Sequence, residues 1–244
     1  MSFFIHRSAL IALFLALLPA CVVAPSPLPA APASWTEADF DSVTPADFRK
    51  DPRFLKRIDF NDIDYPLLDA AIFYATNEIR IKNGLKPLAH SAALEEAAAG
   101  HARRMAEKDF FSHSDPFDKT RAEPADRLRL AGVANPHPAE NIVQAFGLAY
   151  AAGKPVYARG RGGFSYAENG PLIPPHTYLS FADAALAIWM NSSGHRANIL
   201  SSNALELGCG TRYYANRSFN DMPMFTAVQN FQWFEKVRMK GGEE

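Results

Sequence analysis

Apolar positions divide the chain into a leader, an irregular approach and a patterned body. Ala9–Leu18 (ALIALFLALL) is an unbroken apolar run behind Arg7. It is too short to span a bilayer as a mature helix, and it predicts an export signal over residues 1–20. Val22–Ser34 (VVAPSPLPAAPAS) is rich in Pro and Ala and predicts an extended, semi-rigid tether. Trp35–Asp62 mixes charges with the isolated aromatics Trp35, Phe40, Phe48, Phe54 and Phe60. Its weak periodicity fits one or two short helices strapped to a domain surface, or a partly ordered linker.

From Asp64 the pattern sharpens. Leu68, Ile72, Ala75 and Ile79 recur at helical spacing, so Asp64 caps a helix that runs to about Asn83 and ends at Gly84. Ser91 caps a second helix carrying Leu94, Ala98, His101 and Met105 on one stripe, which makes His101 a core or boundary histidine. Pro124 opens a third helix that Gly132 closes. A fourth runs from Ser180 to about Ser193, where Ser192-Ser193-Gly194 stops it before His195 and Arg196.

Two strand-like runs finish the body. Leu207–Tyr214 and Met224–Phe231 flank Ala215–Pro223, which predicts a hairpin with a long loop. Helices followed by a terminal antiparallel pair make the chain α+β. Gly147–Thr177 contains Arg159-Gly160-Arg161-Gly162-Gly163 amid further Gly and Pro, and reads as an irregular insertion. The organisation expected is a signal over 1–20, an anchor, tether and approach over 21–62, a domain over 63–236 with an insertion at about 147–179, and a tail over 237–244.

Composition narrows the partners. The chain has 244 residues, 25 Lys plus Arg against 26 Asp plus Glu, and is 48% hydrophobic. That supports a sizeable core and gives no global field for nucleic acid. Cysteine occurs at Cys21 and Cys209 only. Leu18-Pro19-Ala20-Cys21 fits cleavage before Cys21 and resembles the bacterial lipobox, whose cysteine is lipidated. The expectation is a lipid-anchored envelope protein, at the outer membrane or in the periplasm of a Gram-negative host, with plain secretion as the alternative.

Several familiar chemistries are absent. Gly147–Lys154 departs from a phosphate-binding loop in spacing, and Pro155 stands where Ser or Thr is needed. Neither H-E-x-x-H nor G-x-S-x-G occurs. Ser112-His113-Ser114-Asp115 is contiguous, whereas triads are spatial. Cys209 alternates with Leu207 and Thr211 and reads as a buried thiol. What remains is Phe110–Ser114, Ala139–Ile142 and Gly194–Leu200, each an ionisable or polar group beside apolar anchors. His113, His195 and Glu140, if they converge, suit a divalent cation or acid–base work.

This ordered set resembles the CAP superfamily, also called SCP-like or the cysteine-rich secretory, antigen 5 and pathogenesis-related 1 family. The matching pieces are Asn77-Glu78-Ile79-Arg80 with Asn83-Gly84-Leu85 and Pro87-Leu88, Phe111–Ser114, Ala139–Ile142, Trp189 with Gly194–Leu200, Leu207–Gly210, and Gln229-Asn230-Phe231. Its bacterial branch is most similar, sharing Ser-x-Gly-His-Arg-Ala-Asn-Ile-Leu and lacking the eukaryotic disulfides. The resemblance implies an α-β-α sandwich with a central antiparallel sheet. It also implies a cleft with two histidines and two glutamates. By motif these are His113, His195 and Glu140, with Ser192 in the second glutamate's place; Glu168 of the insertion is a candidate substitute.

The function expected is therefore binding rather than catalysis. The cleft would take a small-molecule or lipid-like ligand, with a divalent cation, zinc first, between His113 and His195. Ser112, Ser114 and Asn141 would fix the imidazole tautomers, or else serve local turns and caps. Asn198 is expected to satisfy local backbone, and Arg196 to pair at the surface. The alternatives are a hydrolase with Glu140 as base or metal-activated water, and an envelope protein whose insertion binds a protein partner. The insertion, lying between Glu140 and His195 in sequence, is expected to border the cleft as a lid or rim.

Overall fold

A computed structural model describes residues 34–241. The export signal, Cys21 and the tether to residue 33 lie outside the described residues. Helix α1 (Glu37–Ser42) and a single 3-10 turn at Phe48–Lys50 come first. The approach is more than a surface strap: Trp35, Phe48 and Phe54 are buried in the same core as Leu68 and Tyr74. Trp35 packs within 5.6 Å of Phe54 and Tyr74, ring centre to ring centre. Each such burial stabilises by about 1.5–3 kcal/mol, which is why isolated aromatics without periodicity still order this segment.

Helix α2 (Tyr65–Lys82) begins as its spacing predicts, with the Asp64 carboxylate accepting from the Leu67 amide, and Gly84 follows its end at φ +74°. The short strand β1 (Ala89–His90) leads into α3 (Ala92–Lys108), and α4 (Pro124–Leu130) starts at its proline. Ser91 precedes α3, but its side chain makes no capping bond. Strand β2 (Pro138–Phe146) had no expected counterpart, because Glu140, Asn141 and Gln144 interrupt its apolar alternation. Short strands β3 (Tyr157–Ala158) and β4 (Phe164–Ser165) form a hairpin inside the insertion.

Helix α5 (Tyr178–Asn191) starts two residues before the expected Ser180, capped by Thr177, whose hydroxyl accepts from the Ser180 amide. Its stop is narrower than Ser192-Ser193-Gly194 implied. Ser192 alone is extended, and Ser193–Ile199 forms a new helix, α6, that contains Gly194 and His195. Strands β5 (Ala204–Asn216) and β6 (Met222–Trp233) extend further toward each other than expected, so their loop is short.

The sheet order is β1-β5-β6-β2. The three long strands are antiparallel, as expected; β1 adds a parallel edge, which makes the sheet mixed. Helix α3 lies on one face. There Gly208 and Gly210 of β5 meet its backbone so closely that a Cβ on either would overlap the chain at Leu94–Glu95 and Ala98–Ala99. Helices α2 and α5 cover the other face, where Leu207, Cys209, Phe225 and Ala227 join Leu68 and Phe181. This is the expected α-β-α sandwich. Among the described residues no helix is long and apolar enough to cross a membrane.

The insertion does not border the Glu140 region. It leaves β2 after Phe146, which pairs with Met224, whereas Glu140 pairs with Asn230 at the other end of the strand. Six residues of strand separate the two ends by about 20 Å. Phe164 and Ile173 of the insertion pack on Met222 and Met224, and Arg161 pairs with Asp221. Sequence position between Glu140 and His195 misled because the chain runs away from Glu140 along β2 before the insertion begins. Glu168 is an exposed part of this distant unit, so it does not replace the carboxylate at Ser192.

Candidate functional site

The site is built on edge strand β2. Consecutive strand residues point to opposite faces. Glu140 therefore reaches toward α4, and Asn141 reaches toward α6. Each holds one of the two histidines through its own layer, so the pair straddles the sheet edge.

On the α4 side, His113 Nδ1 donates to Glu140 Oε1 at 2.8 Å, and Arg127 Nη2 donates to Glu140 Oε2 at 2.7 Å. The Arg127 and Glu140 side chains are 0% and 2% exposed. Arg127 also donates to the carbonyls of His113 and Ala122, fixing the loop that carries the imidazole. Because a carboxylate only accepts, the His113 proton sits on Nδ1, and Nε2 is the atom left for a ligand. The hydrogen bond to Glu140 raises the His113 pKa despite partial burial.

A second histidine supports the loop. His101 is buried, as its place on the apolar stripe implied, and its Nε2 donates to the Ser112 carbonyl at 2.9 Å. Burial lowers its pKa. Asp115, also buried, takes Arg104 and the Phe117 amide, so it is no triad member. The Ser112 hydroxyl accepts from the Ser114 amide, and the Ser114 hydroxyl donates to Glu123. Both serines serve the turn, and neither hydrogen-bonds to the His113 or His195 ring.

On the α6 side, Asn141 Nδ2 donates to the His195 carbonyl and to Gln229 Oε1, at 3.1 and 3.0 Å. Asn198 Nδ2 donates to Asn141 Oδ1 at 2.9 Å. Asn198 thus ties α6 to β2 instead of satisfying local backbone, and Asn141 places the His195 backbone without setting its tautomer. Arg196 donates to the Met190 carbonyl at the end of α5 and makes no ion pair among the described residues. His195 Nδ1 is buried without a partner, which leaves Nε2 as its accessible nitrogen. Burial, then the nearby His113, lower the His195 pKa.

The structure therefore gathers His113, Glu140, Asn141 and His195, and adds Arg127 and Asn198. Arg127 carried no sequence signal: an arginine in PADRLRL is the usual mark of a solvated helix face. The donor set fits a metal only in part. Glu140 has both oxygens engaged, Ser192 offers no carboxylate, and no cluster of three His, Cys, Asp or Glu is arranged for a metal among the described residues. Two imidazole nitrogens fall short of the three protein ligands usual in an open zinc site, so water would complete the shell. Cys209 is buried and its thiol is pushed well up by burial, consistent with an inert role. A cavity of about 640 Å³ lies elsewhere, between the end of α3 and the β5–β6 hairpin, lined by Glu107, Tyr214 and Arg217.

YkwD of Bacillus subtilis is 28% identical over 135 residues, 55% of this chain and 38% of that protein. The membrane protein YlbC of the same organism is 30% identical over 145 residues, 59% of this chain and 32% of its own length. The chain thus spans about a third of these relatives. An extracellular SCP-domain protein from Bacillus anthracis superposes with a TM-score of 0.48 at 24% identity, covering 70% of this chain and 42% of the other. The family model for the cysteine-rich secretory proteins matches residues 73–231, well over half of the chain, and takes in β2, the His113 loop and α6. The chain belongs to the CAP, or cysteine-rich secretory protein, family.

Proposed function

We propose that the chain is an exported binding module whose cleft meets its ligand through His113 Nε2 and His195 Nε2. The observation that carries this is the engagement of Glu140. One oxygen holds His113 and the other holds buried Arg127. A carboxylate so placed orients an imidazole and is not free to activate water as the hydrolase alternative requires. Ser192 stands in the second glutamate's place, and Glu123, beside the His113 loop, accepts from the Ser114 hydroxyl. The ligand class is a small molecule or lipid headgroup with a group able to meet two imidazoles. A divalent cation, zinc first, would sit on the two nitrogens and bridge to it.

Calorimetric titration with Zn²⁺ tests the cation part. Saturable heat is expected in the wild type and its loss in both His113→Ala and His195→Ala. Equal heats in all three would remove the cation from this reading.

Export and anchoring rest on the Ala9–Leu18 run and on Cys21 in its lipobox-like setting. Cys21→Ser is expected to release the protein from membranes and end incorporation of labelled fatty acid. Unchanged fractionation would favour plain secretion or another anchor. A second reading places a protein partner on the insertion, where Tyr157 and Leu172 stand exposed. Replacing both with Ser leaves Phe164 and Ile173 in their core, and loss of partner capture would support it.

A further inference from the structure

His90 forms a second histidine–carboxylate arrangement, on β1 at the opposite edge of the sheet from β2. Its Nδ1 lies 3.0 Å from Glu37 Oε1, and its Nε2 lies 2.6 Å from Glu95 Oε2. The imidazole side chain is 6% exposed. It stacks face to face on Phe40, with ring centres 3.7 Å apart and planes 7° apart, and Phe73 of α2 meets it edge-on. Glu37 and Phe40 both belong to α1, whereas Glu95 belongs to α3 and His90 to β1.

Both ring nitrogens face acceptor-only groups. A neutral imidazole carries one N–H, so it would turn a lone pair toward one of the two carboxylates. The imidazolium satisfies both and also presents a cation to the Phe40 ring. The charged groups facing the ring are Glu37 from α1 and Glu95 from α3; α2 contributes the uncharged Phe73 ring, with Asp69 behind Glu95.

We infer that His90 is a proton-dependent latch: its imidazolium clamps α1 onto the domain through Glu37 and Phe40, and loss of that proton loosens α1. The latch acts where the chain N-terminal to Ser34 joins the domain. Burial opposes the charge, but Glu95 and then Glu37 outweigh it, and the His90 pKa is raised. The clamp is therefore complete below the open-state value near 6.5 and fades as pH rises through the raised, docked value. Across that window the equilibrium constant for opening α1 rises by up to about tenfold per pH unit, then levels off. Arg53, which holds Asp39 at 2.8 Å, and buried Trp35 keep the segment from leaving altogether.

Hydrogen exchange on the full chain tests the latch, reading amides over Trp35–Val43 at pH 6 and pH 9 after correction for intrinsic exchange. The wild type should lose protection there at pH 9 while core amides of α3 hold theirs. His90→Gln should flatten that pH dependence. Glu37→Gln, which changes a mostly exposed side chain, should do so in part and lower the His90 ring titration. Equal α1 protection at the two pH values would overturn the latch. So would the wild-type pH dependence persisting in His90→Gln, or a His90 ring that titrates at or below 6.5.

Discussion

Arg127 and Glu140 form a buried ion pair, Nη2 to Oε2 at 2.7 Å, in which the guanidinium also holds the His113 carbonyl. The pair joins α4 to the edge strand, and Arg127 fixes the loop between α3 and α4 that carries His113. Buried pairs owe little net stability to their attraction, but removing one partner leaves an uncompensated charge. Arg127→Met is therefore expected to cost about 3–5 kcal/mol in urea unfolding. It should also raise backbone exchange in residues 111–115.

His113 and His195 are held in opposite protonation tendencies, and a two-dimensional NMR titration should resolve them. The His113 ring is expected to titrate above 6.5, and the His195 ring below it. The His113–Glu140 contribution to stability is then complete below 6.5 and fades as pH rises through the raised His113 value. His195 behaves oppositely. Its contribution is present above 6.5 and is lost as pH falls through the depressed value. His113→Gln should move the His195 titration upward without carrying it past 6.5, because burial is the larger cause. An unmoved His195 would show that the two rings do not sense each other.

Asn198 is the tie between α6 and β2. Asn198→Ala leaves the Oδ1 of Asn141, a fully buried residue, without its donor. Such orphaned acceptors cost about 1–3 kcal/mol. The variant should remain folded and give weaker Zn²⁺ heat, because α6 then keeps only the Asn141 bond to the His195 carbonyl as its side-chain tie to the strand. Retained heat with lowered stability would confine Asn198 to a structural role.

The parts of the fold that were legible are those where one periodicity dominates. Helices α2 and α3 announced themselves by apolar positions every three to four residues, and β6 by its apolar run. Strand β5 was legible at Leu207, Cys209 and Thr211, which face α2. The reason for glycine at 208 and 210 was not, since it lies in the backbone of α3 on the other face. Strand β2 was hidden because the residues that make it a site, Glu140 and Asn141, break the alternation that marks a strand. The ordered motif named His113, Glu140 and His195 and gave Asn198 to local backbone, whereas its partner is Asn141; Arg127 was missed. A buried guanidinium is recognised by its acceptors, here carbonyls at 113 and 122 and a carboxylate at 140, and no local pattern encodes those.

The glycines of β5 give a steric prediction. A Cβ at 208 or 210 would overlap α3 backbone rather than a flexible side chain, so α3 must shift bodily. Gly208→Ala and Gly210→Ala are each expected to cost at least about 3 kcal/mol, the upper end for overpacking. Chemical unfolding and near-ultraviolet circular dichroism would measure it. Gly194→Ala is the control: its Cβ meets open space within α6, and it should cost nothing.

Asp69 gives the prediction with the clearest pH signature. It sits in α2 with 4% exposure, takes the Thr211 hydroxyl at 2.7 Å, and has no cation paired with it among the described residues. Burial drives its pKa well above 3.8, and Glu95 adds to the rise. A carboxyl whose folded value is raised contributes stability fully below its unfolded value and loses it as pH rises through the folded one. From pH 4 upward, then, Asp69 makes the native state progressively less favourable. Asn in its place keeps the acceptor for Thr211 and has no proton to lose. Asp69→Asn should therefore be more stable than wild type at pH 7, with the advantage shrinking toward pH 4. Urea midpoints for the two proteins at pH 4, 5.5 and 7 would show the curves converging at low pH. Parallel curves would mean that Asp69 is ionised in the fold and stabilised by contacts other than Thr211.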